Sequence, residues 1–428
     1  MLPLGEGVGL QKRSPTRAAI SQIRLPRDGP TSTCEVSNAC VQIEGCEPNV
    51  RVGIDTLFLD GRHQSSLANF VVGFVDSMLH DSQQHRLVLF ASHATARLFD
   101  RLPARSVEFV ICPTSNENPV ARILYQQFRL PTLVARHRID VLCSLADVAP
   151  LRVKVPVVLK VNSLHHFTTP KAIGMFRSIY RRLMIGASAR RARFVVANSR
   201  PAASDIQTLL GVSADRIRLI YEAVDDCFAP CEDQVRLAQL LRERYRITDR
   251  YLLFVSALYR YKNLNSLIRA LGSLVDTGRW TGSLVVAGPD PHSNRDDSEQ
   301  LAIRLGVADR VTFLGAVPNE HLRELYCGAA VLVYPSASET FGKPIVEAMR
   351  CGTPVVASNR GSIPDVAAGA ALLIDPDDSE ALANAVVQLL EDSDLRTRLR
   401  DIGLKRGAEF SWRSVAIGFT KVLEEAVS

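Results

Sequence analysis

The stretch Pro335-Ser-Ala-Ser-Glu339-Thr-Phe341-Gly342-Lys343-Pro344-Ile-Val-Glu347-Ala-Met-Arg-Cys-Gly352-Thr-Pro354 decides how the rest of the chain is read. An apolar run of strand length, Ala329 to Tyr334, precedes it, and another, Pro354 to Ala357, closes it. Pro344 suits the first helical position, where its missing N–H would be unpaired in any case. Gly352 suits the residue just past a helix end, where a positive φ is often required. The stretch therefore predicts strand, polar loop, short helix, turn, strand. That layout aims a helix N-terminus at whatever lies beyond the strand. The N–H groups around Phe341 to Lys343 are free there, and the helix dipole favours an anion. Glu339 sits in the loop and Glu347 one turn inside the helix. Two carboxylates beside an anion site make sense if they accept hydrogen bonds from hydroxyls. A ligand with both phosphates and hydroxyls, a nucleotide sugar, meets both demands.

Glu339 and Glu347 form an E-x7-E pattern, framed by Pro335-Ser336, Glu339-x-Phe341-Gly342-x-Pro344 and Glu347-Ala348. Two glutamates at that spacing arise easily by chance. The whole string in its strand–loop–helix context is specific. It resembles the signature of the retaining family 4 glycosyltransferases (glycosyl transferases group 1), and the resemblance covers about residues 51–425. It is stronger after Tyr251 than before Arg193. It implies an α/β fold of two Rossmann-like doubly wound domains facing across a cleft (GT-B). It also implies transfer of a sugar, with retention, from a GDP- or UDP-linked donor, with no metal and no other cofactor. The Tyr259–Asn263 spacing and the Glu339-Thr-Phe-Gly string look most like mannosyl- and rhamnosyl-type transferases of bacterial polysaccharide assembly.

Composition agrees with a globular protein. The chain has 428 residues, 46% hydrophobic and 22% charged, with a net charge of +6. That length suits two or three domains of about 100–200 residues. The mild basic excess favours anionic ligands or surfaces without identifying them. Nine cysteines are scattered along the chain. Cys34, Cys40 and Cys46 are evenly spaced but have no histidine among them, so reduced thiols are expected rather than a metal site. The longest apolar runs, such as Tyr251 to Tyr259, fall far short of the ~20 residues of a membrane helix. With no secretory leader recognised, a cytoplasmic protein is expected, with a peripheral position on the inner face of the plasma membrane as an option.

Residues 1–50 are rich in Gly, Pro, Ser and Thr without a sustained period, and read as a disordered extension or an overlong start. Apolar runs of strand length then alternate with helical patterns, first in 51–231 and again in 232–410. This implies a parallel sheet covered on both faces in each half. Asn263 is a plausible N-cap for the helix of Leu264, Leu267, Ile268, Leu271 and Leu274, and Asp377 with Glu380 has capping-box spacing. Residues 411–428 look like the family's final helix, which packs back across the first domain.

The resemblance also implies roles. Lys262 contacts the donor diphosphate, and Arg260 stands in for an arginine that this chain replaces with Ser256-Ala257. Glu339 lies against the donor sugar. Phe341, Gly342 and Lys343 donate backbone N–H groups, and Glu347 accepts from the ribose. Gly288 and Val317, with their neighbours, line the base pocket. The first domain departs from the family pattern, because Asn162 occupies the place of a histidine that contacts the transferring sugar. His165 or His166 is the candidate to take that role, against the reading of both as partly buried side chains. The usual glycine-rich first loop retains only Gly61.

From Val148 to Ser204 there is no Asp or Glu. Arg177, Arg181 and Arg182 stand there among Ile173, Phe176, Tyr180, Leu183 and Ala187 at helical spacing. This reads as a basic amphipathic helix facing a lipid-linked or saccharide acceptor and an anionic membrane. Nucleic acid is not expected, since no aromatic platform accompanies the charge. Two other readings remain open from sequence: a non-catalytic nucleotide-sugar-binding protein, and a sugar-nucleotide epimerase on the same fold.

Overall fold

The computed structural model describes residues 50–60, 66–81, 85–102, 107–114, 116–164, 167 and 175–428, the side chains of 81 and 175–178 excepted. The segment Glu47–Ser428 forms one compact unit. The reading of residues 1–49, with Cys34, Cys40 and Cys46, lies outside the described residues, as do Gly61, His165 and His166.

Two parallel sheets organise the chain. The first contains β1 (Val50–Asp55), β2 (His85–Ala91), β3 (Val107–Ile111), β4 (Val141–Ser144), β5 (Val157–Lys160), β6 (Phe194–Ala197) and β7 (Ile217–Leu219). Their order is β3-β2-β1-β4-β5-β6-β7. The second contains β8 (Tyr251–Val255), β9 (Ser283–Ala287), β10 (Val311–Gly315), β11 (Val331–Tyr334), β12 (Val355–Ser358) and β13 (Leu372–Ile374), ordered β10-β9-β8-β11-β12-β13. Helices cover both faces, so the central strands are continuous apolar runs. Every residue of β6, β8, β11 and β12 is buried.

Both sheets reverse their order once, between β1 and β4 and between β8 and β11. In such sheets the ligand crevice opens beyond the strand C-termini at that switch point. The loops after β8 and β11 are therefore neighbours by topology, although about 80 residues separate them in sequence.

The helix Trp412–Val427 follows the second sheet but packs in the core of the first. Val415, Phe419, Val422 and Leu423 are buried with Val52, Ile54, Val141 and Phe74. The Phe74 and Phe419 rings lie 4.7 Å apart. Burying each large apolar side chain of this kind contributes about 1.5–3 kcal/mol. Trp412 fills the space left by Gly73, where any Cβ would overlap the indole, and its Nε1 donates to Asp225 at 2.9 Å.

Three local expectations are corrected. Asn263 precedes its helix at φ 60°, but its side chain donates to the Pro376 carbonyl instead of capping. Asp378, not Asp377, caps the helix Ser379–Glu391, accepting from Glu380 and Ala381 N–H groups. Asp377 pairs with Arg360 at 2.8 Å. The helix Met175–Arg191 does not bury the Tyr180–Leu183–Ala187 stripe. It buries Ile185, Ser188 and Ala189, while Leu183 is 66% exposed. The small residues let the helix approach its neighbours closely, and Ser188 Oγ accepts from Ala149 N–H at 3.0 Å.

Candidate active site

The loop after β11 begins at Pro335 and ends at Gly342, whose φ of 97° lies in the left-handed region. That conformation favours glycine. It starts the helix Lys343–Cys351, with Pro344 in the first turn and Gly352 closing the end at φ 76°. The loop after β8 leads through Arg260–Lys262 to the helix Leu264–Asp276. Ala337 N–H donates to the Tyr261 carbonyl at 2.8 Å and joins the two loops.

Across this junction Lys262 Nζ donates to Glu339 Oε1 and, at 3.0 Å, to the Tyr334 hydroxyl. Tyr334 in turn donates to Glu339 Oε1 at 2.6 Å. The Lys262 and Glu339 side chains are only 12% and 11% exposed. Burial pushes the Tyr334 phenol far above its ordinary range, which keeps it a proton donor. The Glu339 carbonyl accepts from Ser362 N–H at 3.1 Å and Oγ at 3.0 Å, which fixes the loop from the other side. A cation, a hydroxyl and a carboxylate thus meet beside a helix N-terminus.

The other second-domain residues named from sequence each have their own local setting. Gly288, at φ 150°, sits so close to the Ser256 carbonyl that no Cβ fits, and its N–H donates to Gly315 at 2.7 Å. Val317 is partly buried against the core. The Phe341 ring is a core element, packed on Phe410 at 5.6 Å and Tyr221 at 6.4 Å. Glu347 accepts from the Tyr326 hydroxyl at 2.7 Å. Burial pushes its carboxyl above the usual carboxylate range, against the pull of that hydrogen bond. Arg260 is not brought together with Lys262 and Glu339. Its exposed guanidinium pairs with Asp297 at 2.9 Å and leans on Asn294.

The first domain contributes a network that sequence reasoning missed. Lys160, at the end of β5, is 1% exposed. It donates to Asn162 and, at 3.1 Å, to Glu222, and lies 4.2 Å from the Phe70 ring centroid. Glu222 also accepts from Asn198 at 3.3 Å and stands 3.7 Å from Lys343 of the motif helix. Burial alone would raise the Glu222 carboxyl; Lys160 and then Lys343 outweigh it and bring it to about 2. Asn162 is fully engaged, donating its side-chain amide to Leu145 at 2.7 Å and its backbone N–H to Asp147 at 2.6 Å. Asp147 also takes Arg181 at 3.0 Å, so Arg181 is not a free surface cation. Arg182 is exposed and lies over the Phe167 ring, and the Arg177 side chain is outside the described residues. The signal for Lys160 was present in the sequence: a lysine inside an apolar strand needs a buried partner. Among the described residues no group of three or more His, Cys, Asp or Glu side chains is arranged to hold a metal ion.

Comparison with known proteins adds to this geometry. Residues 78–227 match the model "Glycosyltransferase Family 4", and residues 239–406 match "Glycosyl transferases group 1". The chain is 32% identical over 250 residues to O-antigen chain mannosyltransferase B of Escherichia coli. That match covers 58% of this chain and 65% of the relative, less than two thirds of the relative's length. Among solved structures, sucrose-phosphate synthase from Thermosynechococcus elongatus superposes with a TM-score of 0.70 at 19% identity, covering 88% of this chain and 98% of that one. Anabaena HepE in complex with UDP and glucose superposes at 0.68 and 20% identity, covering 88% and 100%. At these identities the likeness is one of fold, and the fold is the two-domain GT-B arrangement that the sequence predicted. The chain thus carries a Glycosyltransferase Family 4 domain followed by a Glycosyl transferases group 1 domain.

Proposed function

We propose that the protein is a retaining glycosyltransferase that moves a sugar, with mannose favoured, from a nucleotide-sugar donor to a lipid-linked or saccharide acceptor in cell-surface polysaccharide or glycolipid assembly. The observation that carries this reading is the Lys262–Tyr334–Glu339 contact beside the Gly342 helix N-terminus, at the switch point of the second sheet. In the transfer the bond from the sugar's anomeric carbon to the diphosphate breaks, and a new bond to an acceptor hydroxyl forms. Negative charge grows on the departing phosphate. Lys262, Lys343 and the N–H groups at the helix start offset it, and such preorganised charge is worth most where water is excluded. Glu339 accepts from the donor sugar's hydroxyls and Glu347 from the ribose, while Gly288 and Val317 border the base.

Lys262 is neutralised by Glu339. Donor phosphates compete for the lysine and sugar hydroxyls for the carboxylate, so the pair is exchanged for two ligand contacts. With these cations in place, the reaction is proposed to run without a metal or other cofactor. The mannosyltransferase relative and the UDP–glucose complex of the structural neighbour support the donor class. The exposed Arg182 and Leu183 support a peripheral seat on the cytoplasmic face of an anionic membrane. No helix among the described residues is long and apolar enough to cross one.

A transfer assay with radiolabelled GDP- and UDP-sugars and a membrane extract tests the reading. Label in the acceptor fraction supports it. An isomerised donor would establish the epimerase instead, and binding without turnover a non-catalytic binding protein.

A further inference from the structure

The helix that starts the candidate site ends in a thiol cluster. Its nine residues, Lys343–Cys351, span about 13 Å, with Gly342 before one end and Cys351 at the other. Cys327 lies near the end of the neighbouring helix Asn319–Gly328, and Cys231 lies in the segment between the two sheets. All three are free thiols. The Cys327 thiol donates to the Ala229 carbonyl at 3.4 Å. The three line a cavity of about 410 Å³ together with Arg250, Arg396 and Arg400. This cavity is not part of the sugar-transfer crevice. Arg250, Ala330 and Pro354 immediately precede β8, β11 and β12, so it opens at the N-terminal edge of the sheet, opposite the switch point.

The three sulfurs are not equivalent. Hydrogen bonds from Cys351 and then Cys231, with the Arg323 guanidinium nearby, pull the Cys327 thiol below its ordinary range despite burial. Its hydrogen bond to Cys327, together with burial, pushes Cys351 up, so it keeps its proton. Both line the cavity, Cys327 partly exposed and Cys351 buried. A thiolate is the nucleophile in thiol oxidation, so the cluster supplies an attacking sulfur and a protonated neighbour lining the same cavity.

We propose that this cavity is an oxidation site for small peroxides, in which Cys327 is oxidised, Cys351 resolves it, and the resulting disulfide weakens donor binding at the other end of the helix. The Cys327 thiolate attacks one peroxide oxygen and the O–O bond breaks. With one proton, the other oxygen leaves as water and Cys327 becomes a sulfenic acid. The Cys351 sulfur then attacks that sulfur and forms the S–S bond. The sulfenic hydroxyl leaves with the Cys351 proton as a second water. Two thiols lose two electrons in total and one hydrogen peroxide is reduced to two waters; an organic peroxide gives one alcohol and one water.

The link to the donor site rests on the proposed role of Glu347. Tyr326, the residue before Cys327, donates to Glu347 at 2.7 Å, and Thr353 Oγ1 donates to the Tyr326 carbonyl at 2.7 Å. Glu347 and Cys351 are four residues apart and share a helix face. A disulfide holds its sulfurs about 2.05 Å apart, well inside hydrogen-bonding range for thiols. Closing it draws the two helix ends together where Tyr326 sets the Glu347 carboxylate.

The test uses the reduced full-length chain, graded hydrogen peroxide, and non-reducing peptide mapping, with the affinity for the preferred nucleotide sugar measured alongside. The exposed Cys227 serves as an internal reference. A Cys327–Cys351 cross-link is expected at peroxide levels that leave Cys227 reduced. Donor affinity should fall about fivefold or more, and dithiothreitol should restore it. Cys327→Ser should bind donor normally and resist peroxide. Cys351→Ala should instead accumulate a sulfenic acid on Cys327 that a diketone probe traps. Oxidation of Cys227 before Cys327, a Cys327–Cys231 link as the main product, or a full cross-link with unchanged donor affinity would each overturn the proposal. If the reduced chain binds no nucleotide sugar at all, the donor-site reading fails with its coupling, while the peptide map still decides the oxidation chemistry.

Discussion

Lys343, the first residue of the motif helix, stands 3.7 Å from Glu222, which belongs to the first domain and also holds the buried Lys160. One carboxylate therefore sits between a cation from each domain. Its carboxyl is held at about 2, Lys160 and Lys343 outweighing burial, against 4.5 for an unperturbed glutamate. Stability from a carboxylate with a lowered folded value is fully present above about pH 4.5 and fades as pH falls toward about 2. We expect Glu222→Gln to flatten the melting-temperature profile in that window. Glu222→Ala should cost about 3–5 kcal/mol at pH 7, because Lys160 is left buried and unpaired. Acid melting curves that superpose for wild type and Glu222→Gln would show that the carboxylate is not paired in solution.

Lys262→Ala should lower kcat by about a hundredfold, with a smaller change in donor KM, since the leaving phosphate gains its charge only in the transition state. Tyr334→Phe removes a hydrogen bond to each partner of the same contact and should show a milder loss in the same direction. Steady-state kinetics on both variants check this. Wild-type turnover in Lys262→Ala would remove the lysine from the mechanism.

Glu347→Ala should raise donor KM more than it lowers kcat, because ribose contacts act alike in the ground and transition states. Burial raises the Glu347 carboxyl, so on acidification it is protonated earlier than an ordinary glutamate. Donor KM should therefore climb on the high-pH side of the usual carboxylate range. Glu347→Gln should have a flat profile there. An unchanged KM with reduced kcat in the alanine variant would contradict the assignment.

Chelation should leave turnover intact, because in the proposed mechanism Lys262, Lys343 and the helix N-terminus offset the charge of the departing diphosphate. The check is activity after EDTA and desalting, with magnesium or manganese added back. Activity lost and then restored by either ion would assign the charge neutralisation to a metal.

How far the sequence reached follows from the range of each interaction. Parallel strands covered on both faces must be apolar throughout, so Phe194–Ala197 and Val331–Tyr334 were legible as runs. Pro344 and Gly352 act within one turn of themselves, so the motif helix was legible to within one residue: it starts at Lys343, with Pro344 second, and Gly352 closes it. The Lys262–Glu339 contact joins positions 77 residues apart, and Glu222 meets Lys343 across two domains. Those pairings depend on how the sheets place their loops, which no local pattern encodes. The helix Met175–Arg191 misled for a different reason. Its large apolar side chains suggested the buried face, but Ser188 and Ala189 pack inward because small residues permit close approach. Asp147, one residue before the acid-free stretch begins, then claims Arg181 from what looked like a uniformly basic surface.

That correction decides how membrane docking is to be tested. Changing Arg181 would break its pair with Asp147 and disturb Asn162, which shares that carboxylate, so the informative pair is Arg182 and Leu183. Leu183 is 66% exposed and Ile179 is 49% exposed, a composition suited to an interface of acidic headgroups over acyl chains. A basic side chain near such a surface contributes about 1 kcal/mol. A leucine entering the apolar boundary adds about 1.5–3 kcal/mol. Arg182→Glu with Leu183→Ser should therefore weaken binding to phosphatidylglycerol vesicles by at least about tenfold in a sedimentation assay. Raising salt from 0.1 to 1 M shortens the Debye length from about 10 to 3 Å and should weaken the wild type in the same direction. Donor affinity should be unchanged in the double variant, because Lys262, Glu339 and Glu347 all belong to the other sheet. Vesicle binding that is absent, or indifferent to both salt and the substitutions, would leave the helix as a solvated face and make a soluble saccharide the acceptor.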